Sequence, residues 1–154
     1  MRNNIFRGFI IALAIATSAG GIFAQETGRK VISTPTAPNA LGPYSQAIRV
    51  GKTLYVSGEI AIDPKTNQVM SNGTIEEQTR RVLDNIAAIV AADGLTMDNV
   101  VSTTVFLTDI NEFDRMNAVY ATYFKAAPPA RATVQVARLG RDVKIEISAI
   151  AVAP

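Results

Sequence analysis

The chain has 154 residues, of which 48% are hydrophobic and 18% charged, a length and composition suited to one compact domain. It contains no cysteine and no histidine. Ser-His-Asp and Cys-His catalysis, zinc sites built on His or Cys, and c-type haem attachment are therefore excluded.

The first 24 residues have the layout of a secretory signal peptide. Arg2 and Arg7 precede an apolar run, and Ala24 is a small residue suited to the cleavage site. The apolar run is broken by glycines and is shorter than the ~20 residues that span a bilayer, which disfavours a membrane anchor. We expect a signal peptide over residues 1–24, a single domain over residues 25–154, a periplasmic or secreted location, and no membrane contact after the leader is removed.

Removal of this leader leaves a neutral chain. It takes away two arginines and no acidic residue, so that 13 of the 15 basic residues remain against 13 acidic ones. A neutral chain without a cluster of Lys and Arg has little with which to neutralise phosphates. We therefore expect no nucleic-acid partner.

The first half of the domain predicts strands and then a helix. An edge strand is expected around RKVIS, and the runs YSQAIRV and TLYVSGEI, separated by Gly51 and Lys52, predict a β-hairpin. Thr74 and Glu77 form a capping box ahead of apolar residues at helical spacing, and Gly94 ends this helix.

The second half predicts a strand, a helix and two further strands. VVSTTVFLTDI is β-branched, and Asp109 or Glu112 could cap a helix that Pro128 and Pro129 end. The apolar face of that helix consists of Phe113, Met116, Tyr120 and Phe124. RATVQVA and VKIEISAIAV then predict strands joined by RLGR. This order predicts an α+β, two-layer sandwich in which a mixed sheet carries two helices on one face.

An antiparallel hairpin around RLGR would bring polar side chains together. Its register pairs Thr133 with Glu146 and Arg131 with Ser148, so that all four emerge on one face, with Arg131 and Glu146 as diagonal neighbours. From spacing alone, a cross-strand ion pair is the simpler interpretation. A guanidinium beside a glutamate also suits a small acid that must meet water.

The face of the sheet away from the helices is expected to be of mixed character. It is too polar for a dry core and too apolar for simple exposure, and a homo-oligomer that closes the sheets around a common centre would resolve this. The residues expected on it include Thr133, Gln135, Glu146, Ser148, Ile150 and Val152.

Five segments carry a resemblance to a known family. They are LGPYSQAI, LYVSGEIAIDPKTNQV, RVLDNIAAIVAADGL, TTVFLTDINEFDRMNAVYATYF and PPARATVQVARLGRDVKIEISAIAVAP. In order and spacing they resemble the RidA/YjgF family of imine deaminases over about Val31 to Pro154, and the closing PAR, VARL and KIEI are the most specific part. The resemblance implies a chorismate-mutase-like fold and a homotrimer with a central barrel and pockets at the subunit clefts.

The resemblance also implies an activity and its residues. It implies a hydrolase that converts 2-imino acids, such as 2-iminopropanoate and 2-iminobutanoate, to 2-oxo acids and ammonia without a metal or cofactor. Arg131 matches the arginine that grips the substrate carboxylate, and Glu146 matches the glutamate that orients the attacking water. The positions that match residues lining the pocket are Tyr44, Ser57, Gly58 and Asn117.

Three positions depart from the family pattern. Thr133 stands where many relatives have cysteine, so its hydroxyl or backbone carbonyl would have to serve there. The link KAAPPA ahead of Arg131 is shorter than in typical members, which predicts a reshaped pocket wall. Glu59 stands where glutamine is common, and its charge would either repel an anionic substrate or be harmless on a solvated strand face.

Two other functions compete with imine hydrolysis. The alternative is a non-catalytic trimer that binds small carboxylates, or a protein partner, in the same clefts; the presence of both Arg131 and Glu146 favours catalysis, because binding needs only the arginine. Endoribonuclease activity, reported for some relatives, fits poorly with a neutral chain that lacks histidine. An exported member would meet imines from the oxidation of D- or L-amino acids.

Overall fold

The computed structural model describes residues 28–154, and the predicted leader and its cleavage after Ala24 lie outside the described residues. The helices and strands are β1 (Arg29–Ile32), β2 (Ala47–Val50), β3 (Thr53–Ile60), α1 (Ile75–Ala92), β4 (Val100–Leu107), α2 (Phe113–Tyr120), β5 (Ala130–Gln135) and β6 (Ile145–Val152). Short 3-10 turns occur at Met97–Asn99, Ile110–Glu112 and Gly140–Asp142.

The strands form one mixed sheet in the order β1-β2-β3-β6-β4-β5. Its neighbours are antiparallel except for β4 and β5, which are parallel. Both helices pack on the same face, and an ion pair between Arg115 of α2 and Glu76 of α1 links them. The predicted two-layer α+β sandwich is confirmed.

Helix α1 begins and ends where the sequence predicts. The Glu77 amide donates to Thr74 Oγ1 at 3.3 Å, and the Thr74 amide donates to Glu77 Oε2 at 2.8 Å, which completes the capping box. Gly94 adopts a φ of 74°, a conformation that costs glycine little. The inward face of α1 is fully buried against the sheet through residues that include Val82, Leu83, Ile86, Ile89 and Val90.

Helix α2 is shorter than predicted. Asp109 Oδ1 accepts from the Asn111 amide at 2.9 Å and thereby caps the 3-10 turn at Ile110–Glu112, after which α2 runs only to Tyr120. Phe124 lies beyond the helix, but it is buried, and its ring centroid lies 4.6 Å from that of Tyr120. The predicted apolar face therefore persists past the end of the helix.

The predicted hairpin of the last two strands is wrong. β5 pairs with β4 in parallel, and β6 lies between β3 and β4. A helix that joins two strands favours a crossover and hence parallel pairing, which is the relation of β4, α2 and β5. The RLGR segment forms no tight hairpin turn; it leads into a 3-10 turn in which Arg141 and Asp142 have φ of 64° and 56°.

The two faces of the sheet differ in burial. Alternate residues of β6, such as Ile145 and Ile147, are fully buried under the helices, whereas Glu146 and Ser148 are half-buried on the opposite face. We call this opposite face the outer face. Tyr55 pairs with Ile150 of β6 and therefore belongs to the outer face. It is 49% exposed.

Candidate functional site

Arg131 lies on the helix-covered face of the sheet. It pairs with Thr103, which is buried and whose hydroxyl lies 2.7 Å from the Tyr120 hydroxyl on α2. Because paired residues of neighbouring strands point to the same face, Arg131 also points toward α2. Its guanidinium carbon lies 4.5 Å from the ring centroid of Tyr120 and 5.6 Å from that of Phe113. The two rings hold the guanidinium through cation–π contacts.

A cavity of about 410 Å³ opens beside Arg131. Its polar side includes Asn117, and its apolar wall is formed by Ala121, Phe124, Pro128 and Pro129. The volume is in the range of small-molecule sites, and a charged fork beside an apolar wall suits a small acid with an apolar side chain. We call this cavity the α2 pocket. Pro128 and Pro129 belong to the short KAAPPA link, for which the sequence predicts a reshaped wall.

Thr133 lies on the same face of the sheet as Arg131, and its buried hydroxyl group distinguishes it from the arginine. It pairs with Val105, which is fully buried, so its side chain also points toward the helices. The Oγ1 atom of Thr133 is buried and has no hydrogen-bond partner within residues 28–154. A buried hydroxyl without a partner costs about 1–3 kcal/mol, so a ligand that supplied one would be favoured.

Glu146 belongs to a second group of side chains on the outer face. A Cβ atom placed on Gly58 would overlap Oε1 of Glu146 and would lie 2.9 Å from its Cδ, so the carboxyl group rests directly on the Gly58 backbone. The neighbouring Ser57 Oγ donates to the Ser45 carbonyl at 2.7 Å, and its amide donates to the Gln46 carbonyl at 3.0 Å. These bonds attach the segment after Tyr44 to the strand that carries Ser57 and Gly58.

Tyr44 is 50% exposed at the start of this segment. Its hydroxyl accepts from the Leu41 amide at 3.1 Å, and its own amide donates to the Gly42 carbonyl at 2.8 Å. These contacts hold the tyrosine ring at the surface. Partial burial raises the pKa of Glu146, which gives this carboxyl group a stronger affinity for a proton than an exposed glutamate has.

The prediction that Arg131 and Glu146 are neighbours on one face is wrong. Arg131 pairs with Thr103 and Glu146 with Phe106, three residues further along β4 and on its other side. Strand geometry therefore separates their backbones by about 14 Å, with their side chains on opposite faces. Two candidate half-sites result. The arginine half consists of Arg131, Asn117 and Thr133, and the glutamate half consists of Tyr44, Ser57, Gly58 and Glu146.

The assignment of residues to the outer face is correct for β6 and wrong for β5. Glu146, Ser148, Ile150 and Val152 lie there as predicted. Thr133 and Gln135 lie on the helix side, since their β4 partners Val105 and Leu107 are fully buried. The physical reason is the parallel pairing with β4, which sets the face of β5 without reference to β6.

The structure places two residues differently from what the sequence predicts. Tyr120 was assigned to the apolar face of the second helix, and nothing in its spacing distinguishes a core tyrosine from one that stacks on an arginine. Glu59 was expected to face either the pocket or solvent, yet it is 6% exposed. In residues 28–154, no group of three or more acidic side chains is placed to bind a metal ion, and no helix is long and apolar enough to cross a membrane.

The sequence and fold match known proteins over most of the chain. The family described as Endoribonuclease L-PSP matches residues 34–153. The chain belongs to this family. It is the RidA/YjgF family that the five sequence segments resemble, so that expectation is confirmed.

Relatives in this family have been given different names. A RutC family protein of Saccharolobus solfataricus is 54% identical over 123 residues, which cover 80% of this chain and 97% of that protein. The mouse 2-iminobutanoate/2-iminopropanoate deaminase is 49% identical over 124 residues, which cover 80% of this chain and 91% of the mouse protein. The crystal structure of E. coli TdcF with bound serine has a TM-score of 0.78 at 43% identity and covers 81% of this chain and 99% of TdcF. The RidA/YjgF fold is thus established for this chain.

Proposed function

We propose that the chain is an imine deaminase, a hydrolase that converts 2-imino acids of the 2-iminopropanoate and 2-iminobutanoate type to 2-oxo acids and ammonia. The observation that carries the proposal is the pair of complementary half-sites, one with a stacked arginine beside a pocket and one with a carboxyl group of raised pKa. The name of the mouse relative supports the same class of reaction.

Arg131 is suited to hold the substrate carboxylate. A guanidinium presents two parallel N–H donors to a carboxylate, and the rings of Tyr120 and Phe113 limit its motion. In the α2 pocket, the apolar wall would then receive the substrate side chain. The serine bound to E. coli TdcF, itself a small carboxylic acid, supports this class of ligand.

Glu146 is suited to act on water. The carbon of a 2-iminium group is already electrophilic, so a water held beside it can add while Glu146 accepts a proton. The C–O bond forms, the nitrogen leaves as ammonia after proton transfer, and the 2-oxo acid remains. Only water is consumed, and the chain supplies orientation and a base.

We further propose that a second copy of the chain brings Glu146 to Arg131, in a homotrimer. Three observations support assembly: the half-sites lie on opposite faces of the sheet, five of the six residues of the edge strand β5 are exposed, and the outer face exposes apolar side chains. Tyr55 at 49% and Val134 at 45% exposure are examples. A cleft between two copies would join an arginine half to a glutamate half.

The direct test generates 2-iminopropanoate with an amino-acid oxidase and measures its lifetime with and without the protein. We expect the protein to shorten the lifetime, and Arg131→Ala and Glu146→Gln each to abolish that effect. Lys65→Ala, which removes an exposed cation in a turn, is the matched control and should act as the wild type does. An unchanged lifetime together with measurable binding of small carboxylates would support the non-catalytic trimer instead.

The periplasmic or secreted location is part of this proposal. At such a location the substrates would come from the oxidation of amino acids, because enzymes that oxidise an amino group release 2-imino acids. The basic, apolar and small-residue order of residues 1–24 supports it.

A further inference from the structure

A β-bulge in β3 turns Glu59 toward the protein interior. The pairing of β3 with β6 passes from Val56 with Ala149 to Glu59 with Ile147, so three steps along β3 match two along β6. The extra residue reverses the alternation of side chains, and Glu59 falls on the helix-covered face with the fully buried Ile147. Its 6% exposure follows from this reversal.

The bulge also brings Glu59 close to Glu146. The carboxyl group of Glu146 rests on the backbone of Gly58, the residue next to Glu59, and any side chain at Gly58 would displace it. Burial raises the pKa of Glu59, and the charge of Glu146 raises it further. The two glutamates are thus neighbours through Gly58, with Glu146 on the outer face of the sheet and Glu59 on the helix-covered face.

Helix α1 presents a neutral side chain to the segment of β3 that follows Glu59. Helix α1 packs over this part of β3 and presents Asn85, whose amide nitrogen donates to the two backbone carbonyls of Ile60 and Ile62. Arg81, also on α1, forms no ion pair with Glu59. Within residues 28–154, the Glu59 carboxyl group takes part in no ion pair.

A buried carboxylate without a partner is costly, and the group takes up a proton instead. Burial, and to a lesser extent the charge of Glu146, raises the pKa of Glu59 from 4.5 to about 8. Burial also raises the pKa of Glu146. Because the two carboxyl groups interact, they lose their protons as a coupled pair. Glu146 has greater contact with water than Glu59, which favours ionisation of Glu146 first.

We propose that Glu59 is a positioning residue for Glu146: it keeps the proton of the pair, so that Glu146 alone is ionised and free to orient water. This inference rests on the proposed function, because it depends on the role of Glu146. When Glu59 ionises at alkaline pH, a second negative charge appears beside the site, which raises the proton affinity of Glu146 and repels the substrate carboxylate.

The test compares the pH dependence of kcat/KM for imine hydrolysis in the wild type and in Glu59→Gln, which is neutral and of the same shape. We expect wild-type kcat/KM to fall relative to that of Glu59→Gln as the pH rises through about 8, and to level off once Glu59 is ionised. Glu59→Met, a second neutral variant, should behave as Glu59→Gln does. Asp98→Asn, an exposed carboxyl-to-amide change, should keep the alkaline fall.

An infrared difference spectrum between the wild type and Glu59→Gln provides a readout independent of activity. We expect a carboxylic-acid C=O band at neutral pH that disappears above about pH 8. An alkaline fall that persists in both neutral variants, or the absence of this band at neutral pH, would overturn the inference. If the protein hydrolyses no imine, the proposed function fails, and the band still decides whether Glu59 holds the proton.

Discussion

The guanidinium of Arg131 lies over the ring of Tyr120, with 4.5 Å between the guanidinium carbon and the ring centroid. Tyr120 is fixed in turn by its hydrogen bond to Thr103 at 2.7 Å and by its contact with the Phe124 ring. An arginine on an exposed edge strand is therefore held by the core of the helix layer. This stacking limits the positions that the guanidinium can adopt before a carboxylate arrives.

The first prediction tests this stacking. Tyr120→Leu removes the ring, and we expect KM for the imino acid to rise about fivefold with a smaller change in kcat, because a cation–π contact is worth roughly 1 kcal/mol. Tyr120→Phe keeps the ring and loses only the hydrogen bond to Thr103, so its KM should stay close to that of the wild type. Steady-state kinetics of the folded variants check both. Equal effects of the two substitutions on KM would contradict the stacking role.

The α2 pocket predicts selectivity for the substrate side chain. Ala121 is exposed and lines the pocket, and Ala121→Phe would fill part of its volume of about 410 Å³. We expect kcat/KM for the leucine-derived imino acid to fall about tenfold while that for 2-iminopropanoate changes little, since a few methylene groups carry this much selectivity. Ala118→Phe, on an exposed part of α2 outside the pocket lining, is the control. Parallel loss for both substrates would show that side chains do not enter this pocket.

The burial of Glu59 predicts that the free energy of unfolding falls as the pH rises. Its pKa is about 8 in the folded chain against 4.5 for an unperturbed glutamate, so its contribution is fully present below pH 4.5 and is lost as the pH rises to about 8. The loss is on the order of 5 kcal/mol. Glu59→Gln removes this dependence, so the variant should be more stable than the wild type near pH 8. Denaturant unfolding of both proteins below pH 4.5 and near pH 8 checks this, and equal pH dependence would contradict it.

The leader predicts the mass of the exported protein. Cleavage after Ala24 gives a chain that begins at Gln25, and intact-mass measurement of the protein recovered from the periplasm or medium should match it. A full-length mass, or protein found only in the cytoplasm, would contradict the predicted location.

Residue patterns within each segment predict the helices and strands. The errors concern which strands pair with each other, because those partners are distant in the sequence. Helix α1 is correct at both ends because its capping box and Gly94 lie within the helix termini themselves. The partner of β5 depends on the position of β6 in the sheet, between β3 and β4, which no residue near β5 specifies. The sequence therefore predicts a hairpin of β5 and β6 that the structure does not contain. Arg131 and Glu146 were identified by resemblance, but their assignment to one face rested on that hairpin.

The position of Glu59 could not be predicted for a related reason. Strict alternation from Val56 places it on the outer face, whereas the bulge at Ser57 and Gly58 reverses the alternation. A Ser-Gly pair inside a strand is compatible with a bulge, but its presence depends on the register with β6. The buried carboxyl group is therefore a consequence of tertiary pairing.

The central claim is that Arg131 and Glu146 of different copies form one site, and a complementation experiment tests it most directly. Arg131→Ala and Glu146→Gln subunits, each inactive alone, are unfolded together and co-refolded, with exchange confirmed by native mass spectrometry. In a cyclic homo-oligomer with random mixing, about a quarter of the clefts then contain both wild-type residues, and we predict that imine hydrolysis returns to about a quarter of the wild-type rate. Mixed oligomers that remain as inactive as either variant alone would contradict a site shared between copies.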